Sequence, residues 1–256
     1  MEALLLAGGK AERLGDAAEG KPKPLVSIAG IPLAAYTVGR LVAAGVTRII
    51  VACRAGYEDM FVDDLGGLGA EIVPVGETTP LGRGGGFRLA ASLREESGTV
   101  LALNGDELLD LDFRALLAEH ERGGGAATIV VAQVNSPFGV VDVSDDGTVT
   151  GFREAPKLEQ WVNSGVYVLT EEALALFPEK GDHEMSTFPQ LASEGRLRAY
   201  RHTGTWLTVN TPKDLRRADE FMEEHPDWKP VYERRLDGAH QRAEAPALPA
   251  PGAERS

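Results

Sequence analysis

Ala3-Leu4-Leu5-Leu6-Ala7, followed directly by Gly8-Gly9-Lys10-Ala11-Glu12-Arg13-Leu14-Gly15, is the stretch on which the reading of this chain turns. The apolar run is too short to cross a membrane and has none of the polar alternation of a half-exposed strand. It predicts a central strand of a parallel sheet, covered on both faces. The paired glycines then let main-chain N–H groups approach an anion with no Cβ in the way, and Arg13 can add a charged fork. Phosphate suits such a loop. The spacing matches neither G-x-x-x-x-G-K-[ST] nor G-x-G-x-x-G, which argues against a P-loop and against an ordinary dinucleotide site.

Downstream, Lys21-Pro22-Lys23-Pro24-Leu25 is a stiff cationic segment, because its prolines hold the backbone extended and fix where the lysines point. Alone it reads as a solvated connector; beside the glycine loop it reads as a phosphate clamp. Pro32 to Ala44 has helical periodicity with a glycine stop, Arg48 to Cys53 is a buried strand, Tyr57 to Leu65 a helix, and Glu71 to Val75 a strand. The order βαβαβ predicts right-handed crossovers and a parallel sheet. Thr79-Pro80-Leu81-Gly82-Arg83-Gly84-Gly85-Gly86 reads as a second glycine-rich loop that enters a helix over Phe87 to Arg94, its bare backbone suited to the flat face of a base or sugar. Thr99 to Leu103 is another apolar strand and runs into Asn104-Gly105-Asp106-Glu107. An acidic residue at the carboxyl end of a parallel strand has rigid backing at the edge where ligands gather, so Asp106 is the leading metal ligand.

From Ala126 the texture becomes mixed β. Ala127 to Val134 is a strand, Gly139 to Val143 and Thr148 to Phe152 form a hairpin around Ser144-Asp145-Asp146-Gly147, and Trp161 to Leu169 is a strand carrying Asn163. Arg196 to Arg201 and Thr205 to Val209 supply further strands. Thr211 and Pro212 open a helix that His225-Pro226 stops, while Asn210 just before it offers a hard-cation oxygen that capping does not explain. Past Trp228 the periodicity ends, and Ala243 to Ser256 predicts a tail without fixed structure.

The 256 residues are 43% hydrophobic, enough for a full core. A formal charge of −13 opposes binding to nucleic acid or anionic membrane, both of which need a basic footprint, but leaves room for a small metal-bound triphosphate. Cys53 is the single cysteine, so no intrachain disulfide is available. With no leader pattern and no long apolar run, the expectation is a cytoplasmic protein.

The ordered series LAGGKAERLG, KPKPL, PLGRGGG, NGD, FGVV with FREAP, VNSGVYVL and WLTVNTPKDL resembles the sugar-phosphate nucleotidylyltransferase family over residues 2 to about 222. The resemblance implies a Rossmann-like three-layer α/β/α sandwich with a mostly parallel central sheet and a mixed β sugar-binding part. On that reading the nucleotide-binding part is about 1–125, the sugar-binding part about 126–228, and 229–256 a tail. It implies a reaction in which an NTP and a sugar 1-phosphate give an NDP-sugar and pyrophosphate, assisted by Mg²⁺. Ala7, Gly8, Gly9 and Gly82 would contact the nucleotide, with Arg13 and Lys23 at its phosphates. Gly139, Glu154 and Asn163 would hold the sugar, and Asp106 would bind the metal, with Asn210 as its second ligand. The compact length and the glycine loop look most like guanylyltransferases acting on mannose- or heptose-type 1-phosphates. The chain departs from the family pattern where Thr208 replaces an acid, where Ala155 replaces the lysine of E-K-P with Lys157 as the nearest stand-in, and where Arg83 replaces a small or hydroxyl residue. Two alternatives stay open: a weak or inactive NDP-sugar-binding regulator, and a transferase acting on a non-sugar phosphate. The oligomeric state is open as well, a homodimer being one option.

Overall fold

Residues alternate across a strand, and in the opening run both sides are apolar. Ala3, Leu5 and Ala7 enter one hydrophobic core while Leu4 enters another on the opposite face. The computed structural model describes residues 1–230 except Lys10 and Glu19, together with 235–236 and 239–240. The tail reading for Ala243 to Ser256 falls outside the described residues.

The strands that matter to the site are β1 (Glu2–Leu6), β2 (Arg48–Arg54), β3 (Glu71–Glu77), β4 (Val100–Asn104), β5 (Glu107–Leu109), β6 (Ala127–Ala132), β7 (Val140–Val143), β8 (Val149–Arg153), β9 (Val162–Leu169), β10 (Leu197–Arg201) and β11 (Trp206–Thr208). Seven of them form one sheet in the order β10-β6-β9-β4-β1-β2-β3. β1 pairs in parallel with both β2 and β4, and β2 pairs in parallel with β3. β9 runs antiparallel between β4 and β6, so the second half of the chain extends the same sheet. β7 and β8 form the expected antiparallel hairpin, and β5 pairs with β11 in a separate short ribbon.

Among the described residues the α-helices are α1 (Leu33–Ala43), α2 (Glu58–Leu65), α3 (Gly82–Ala91), α4 (Phe113–Gly123), α5 (Glu171–Ala175), α6 (Thr187–Ser193) and α7 (Pro212–Glu224). One face of the sheet packs on Val38 and Leu41 of α1, Phe61 and Leu65 of α2, and Phe113 and Leu116 of α4. The other packs on Phe87 of α3, Leu174 of α5, and Phe188 and Leu191 of α6. This is the three-layer α/β/α sandwich that the βαβαβ order and the resemblance predict. A third apolar cluster, with Leu14, Tyr36, Leu108, Val209, Met222 and Trp228, docks α7 onto the rim and anchors the chain as far as Trp228. Helix starts follow local chemistry: Asp112 accepts from the N–H groups of Arg114 and Ala115, and Thr211 and Asp214 form a reciprocal capping box.

The second glycine-rich segment differs from its sequence reading. Gly82 to Gly86 is the first turn of α3 rather than a loop, and the helix ends at Ala91 instead of reaching Arg94. Three of these glycines are buried by protein. A Cβ on Gly84 would lie 2.8 Å from Pro178 and 2.9 Å from the His183 backbone nitrogen, and one on Gly85 would lie 2.5 Å from the Glu179 carbonyl oxygen. Bare backbone is required here by the 178–183 segment lying against the helix, and only Gly82 and Arg83 of this turn face the cleft described below. Glycine costs a helix about 1 kcal/mol relative to alanine, whereas forced overpacking costs about 1–3 kcal/mol. Gly84→Ala is therefore expected to lower the melting temperature despite its better helix propensity, and a calorimetric rise would contradict the packing account.

Candidate functional site

β1 has its sequence-adjacent parallel partner β2 on one side and β4 on the other, so the chain leaves the two central strands in different directions and a crevice opens at their carboxyl ends. Two short hydrogen bonds fix its floor. The Ala7 N–H donates to the Ala52 carbonyl at 2.7 Å, and the Gly105 N–H donates to the Leu6 carbonyl at 2.7 Å. Gly105 cannot be larger, because a Cβ would stand 2.8 Å from that same Leu6 oxygen.

The cleft above this floor has a volume of about 480 Å³, and its walls include Gly8, Gly9, Lys23, Glu77, Gly82, Asp106 and Glu107. Four expected positions from well-separated stretches thus converge: the first glycine loop, the KPKP lysine, the start of α3 and the end of β4. Ala7 is buried beneath them and lines, with Gly8 and Gly9, a smaller adjoining cavity of about 220 Å³. Arg13 lies exposed on a 3₁₀ segment (Glu12–Ala18) and lines neither cavity.

Lys23 is the centre of the polar network. Its Nζ donates to Asp106 Oδ2 at 2.5 Å and to Asn210 Oδ1 at 2.8 Å. The two residues expected to bind metal therefore present oxygens to one cation. Among the described residues no group of three or more His, Cys, Asp or Glu side chains is arranged to hold a metal. A hard ion on these two oxygens would need its remaining ligands from outside the protein side chains.

Glu107 was not singled out by the sequence reading. It lies opposite Thr208 in the β5–β11 ribbon, and its Oε2 accepts from the Trp206 indole N–H at 2.7 Å. Burial, reinforced by the Asp106 carboxylate, pushes its pKa up to about 8, against the pull of the Trp206 hydrogen bond and the Lys23 charge. Glu77, at the end of β3, was missed because the apolar pattern stops at Val75. Its carboxylate is wedged between two glycines: a Cβ on Gly86 would sit 2.7 Å from Oε1 and one on Gly8 3.4 Å from it. Burial raises its pKa, while the Leu81 N–H donated to Oε2 at 3.2 Å works in the opposite direction.

The three expected sugar residues lie outside the walls of this cleft. Gly139 and Glu154 come together at the hairpin, where a Cβ on Gly139 would be 3.1 Å from Glu154 Oε2. Asn163 donates from Nδ2 to Tyr167 Oη and to Glu184 Oε1, both at 2.9 Å. Glu184 also accepts from Arg83 Nη1 at 2.8 Å, and Arg83 binds Asp182 Oδ2 at 2.5 Å through Nη2. Arg83 is thereby held to the 182–184 segment, and Asn163 is linked to the cleft rim through Glu184. No helix among the described residues is long and apolar enough to cross a membrane.

The ionisation of Glu107 has a sign that can be checked. The unfolded carboxyl titrates near 4.5 and the folded one near 8, so between those values the folded chain binds the extra proton and stability falls as pH rises. Glu107→Gln removes that slope while keeping an acceptor for Trp206. Its stability relative to the parent protein is expected to match near pH 4.5, to improve steadily toward pH 8 and to level off above it; a gain that shrinks with pH in thermal melts would contradict the assignment.

Residues 2–225 match the nucleotidyl transferase family. Mannose-1-phosphate guanylyltransferase catalytic subunit beta of Drosophila pseudoobscura pseudoobscura is 34% identical over 222 residues, covering 83% of this chain and 60% of that protein. Mannose-1-phosphate guanyltransferase beta-A of Xenopus laevis is 33% identical over 246 residues, covering 89% of this chain and 68% of its own length. The chain thus spans about three fifths to two thirds of the length of these relatives. Among solved structures, HddC from Yersinia pseudotuberculosis superposes with a TM-score of 0.67 at 25% identity, over 86% of this chain and 99% of that one.

Proposed function

The chain belongs to the nucleotidyl transferase family, and from that premise we propose that it joins a nucleoside triphosphate to a sugar 1-phosphate, releasing pyrophosphate. The observation that carries the reading is the convergence of Gly8, Gly9, Lys23, Asp106 and Gly82 on one cleft at the carboxyl edge of the sheet. In-line attack by the sugar-phosphate oxygen on the α-phosphorus needs no protein nucleophile, so the residues have only to bring two anions together and stabilise charge. Two phosphates ~4 Å apart repel by roughly 1 kcal/mol per charge pair in water and several times more in a drier cleft. Backbone N–H groups of the Gly8-Gly9 turn and the Lys23 ammonium supply the opposing charge, and the Arg13 guanidinium, which lies outside both cavities, would add to it by swinging in over the phosphates. Asp106 and Asn210 would hold Mg²⁺, which when bound adds Lewis-acid charge to the phosphate oxygens. Gly139, Glu154 and Asn163 would form the acceptor side, with Lys157 as the stand-in for the lysine that Ala155 replaces.

The base we assign is guanine, and the names of the two relatives support a mannose-type sugar. A half-buried carboxylate on the cleft wall is an acceptor-only group. Guanine offers it two adjacent donors, N1–H and the 2-amino group, whereas uracil and thymine offer one N–H between two carbonyls that the carboxylate would repel. Glu77, held in place by the Leu81 N–H, is that carboxylate.

The test is pyrophosphate release across a grid of nucleoside triphosphates and sugar 1-phosphates with Mg²⁺. A hit with GTP and a mannose-type 1-phosphate, abolished in Asp106→Asn, is the expected result. Binding of NDP-sugar with no release anywhere on the grid would favour the regulator reading instead. Glu77→Gln should cut the preference for GTP over other triphosphates by about tenfold to a hundredfold, the worth of a charged hydrogen bond; an unchanged preference would remove Glu77 from the base site.

A further inference from the structure

The Lys23 ammonium stands where the cleft gathers its oxygen donors. Asp106 Oδ2 lies 2.5 Å from Nζ and Asn210 Oδ1 lies 2.8 Å from it. The charge of Lys23 also acts on the Glu107 carboxyl, which lines the same wall and is held from behind by the Trp206 indole. Lys23, Asp106 and Asn210 come from distant parts of the chain and meet at the lysine Nζ: Lys23 follows the glycine loop, Asp106 follows β4, and Asn210 precedes α7. A lone ion pair would need no amide on its far side. An ammonium with a carboxylate on one side and an amide oxygen on the other occupies the kind of all-oxygen nest that suits a hard divalent cation.

Two cations cannot share that nest. At an effective dielectric constant near 20, charges about 4 Å apart in a partly buried site repel by several kcal/mol for each pair of unit charges, and a divalent partner doubles this. We infer that Lys23 is the resident cation between the Asp106 and Asn210 oxygens, and that it vacates this position when a divalent ion loads, freeing its ammonium for the phosphates in the same cleft. Metal loading and delivery of Lys23 are then one event. The lysine keeps the acidic nest neutralised until a divalent ion arrives, and Pro22 and Pro24 restrict its backbone so that the exchange is a movement of the four-carbon side chain.

The inference rests on the metal-assisted reading of this site, but its test needs no turnover, so a protein that transfers no nucleotide still answers it. Mn²⁺ affinity is measured by titration calorimetry, with no nucleotide present, on the parent protein and on Lys23→Met, Lys23→Arg and Lys21→Met. Lys21, paired with Asp64 at 3.4 Å, lines the neighbouring cavity and serves as a control for net charge. Lys23→Met should bind Mn²⁺ about tenfold tighter, Lys23→Arg no tighter than the parent, and Lys21→Met within about twofold of the parent, since only the first removes the competing cation from the nest. Equal affinity in Lys23→Met and the parent, an equal gain in Lys21→Met, or no Mn²⁺ binding in any variant would overturn the inference. A second measurement uses the unaltered protein: acylation of lysines followed by mass spectrometry. Mn²⁺ should raise the labelling of Lys23 several-fold and leave Lys21 unchanged, because a released amine is accessible and an ion-paired one is not. Unchanged or reduced labelling of Lys23 would overturn the exchange.

Discussion

The ladder around β1 is the constraint on which the rest depends. Glu2–Leu6 has a parallel neighbour on each edge and apolar cores on both faces, so its position is determined on every side. A strand so enclosed can contribute to a ligand site only at its end. The chain therefore emerges at Ala7 between two diverging connections, one toward α1 and β2 and the other arriving from β4. Two backbone hydrogen bonds, Ala7 to Ala52 and Gly105 to Leu6, tie these exits together. The crevice above them follows from parallel topology, and the side chains at its rim inherit the rigidity of the sheet.

That geometry reconciles an acidic chain with the anionic substrates proposed for it. Net charge sets the long-range field, but the cleft is governed by contacts a few ångströms long. Lys23 stands between Asp106 and Asn210, Arg83 is held by Asp182 and Glu184, and Glu107 is kept largely neutral by its burial. Most of the cleft's charge is thus paired with another side chain. Exchanging those partners for phosphate and metal is electrostatically natural, because each partner is itself an oxygen or a cation.

The strands and the βαβαβ order were legible in the sequence because each follows from a local rule, an apolar run, a proline, a glycine or a strand end, whereas the meeting of Lys23 and Gly82 with Gly8 and Asp106 was expected from the family resemblance. The second glycine segment was misread because a glycine run has the same local signature whether it faces a ligand or a neighbouring backbone. Only the tertiary contact with Pro178 and Glu179 makes it a helix packed against a loop. Glu77 escaped notice because strand periodicity ends with its apolar residues, although the strand itself continues two residues further. Glu107 escaped because its significance depends on the Thr208 register of a short ribbon, a pairing across a hundred residues that no local pattern encodes. The links from Asn163 and Arg83 to Glu184 were hidden for the same reason.

In the proposed reaction the bond made and broken lies at the α-phosphorus of the nucleotide. Phosphorus NMR of the protein with GTP, mannose 1-phosphate and Mg²⁺ reads this directly. The account predicts equal growth of the paired diphosphate resonances of a GDP-sugar and of free pyrophosphate, as the triphosphate signals decline. Growth of GDP with inorganic phosphate, or of a doubly phosphorylated sugar, would place the chemistry at the γ-phosphorus and contradict it.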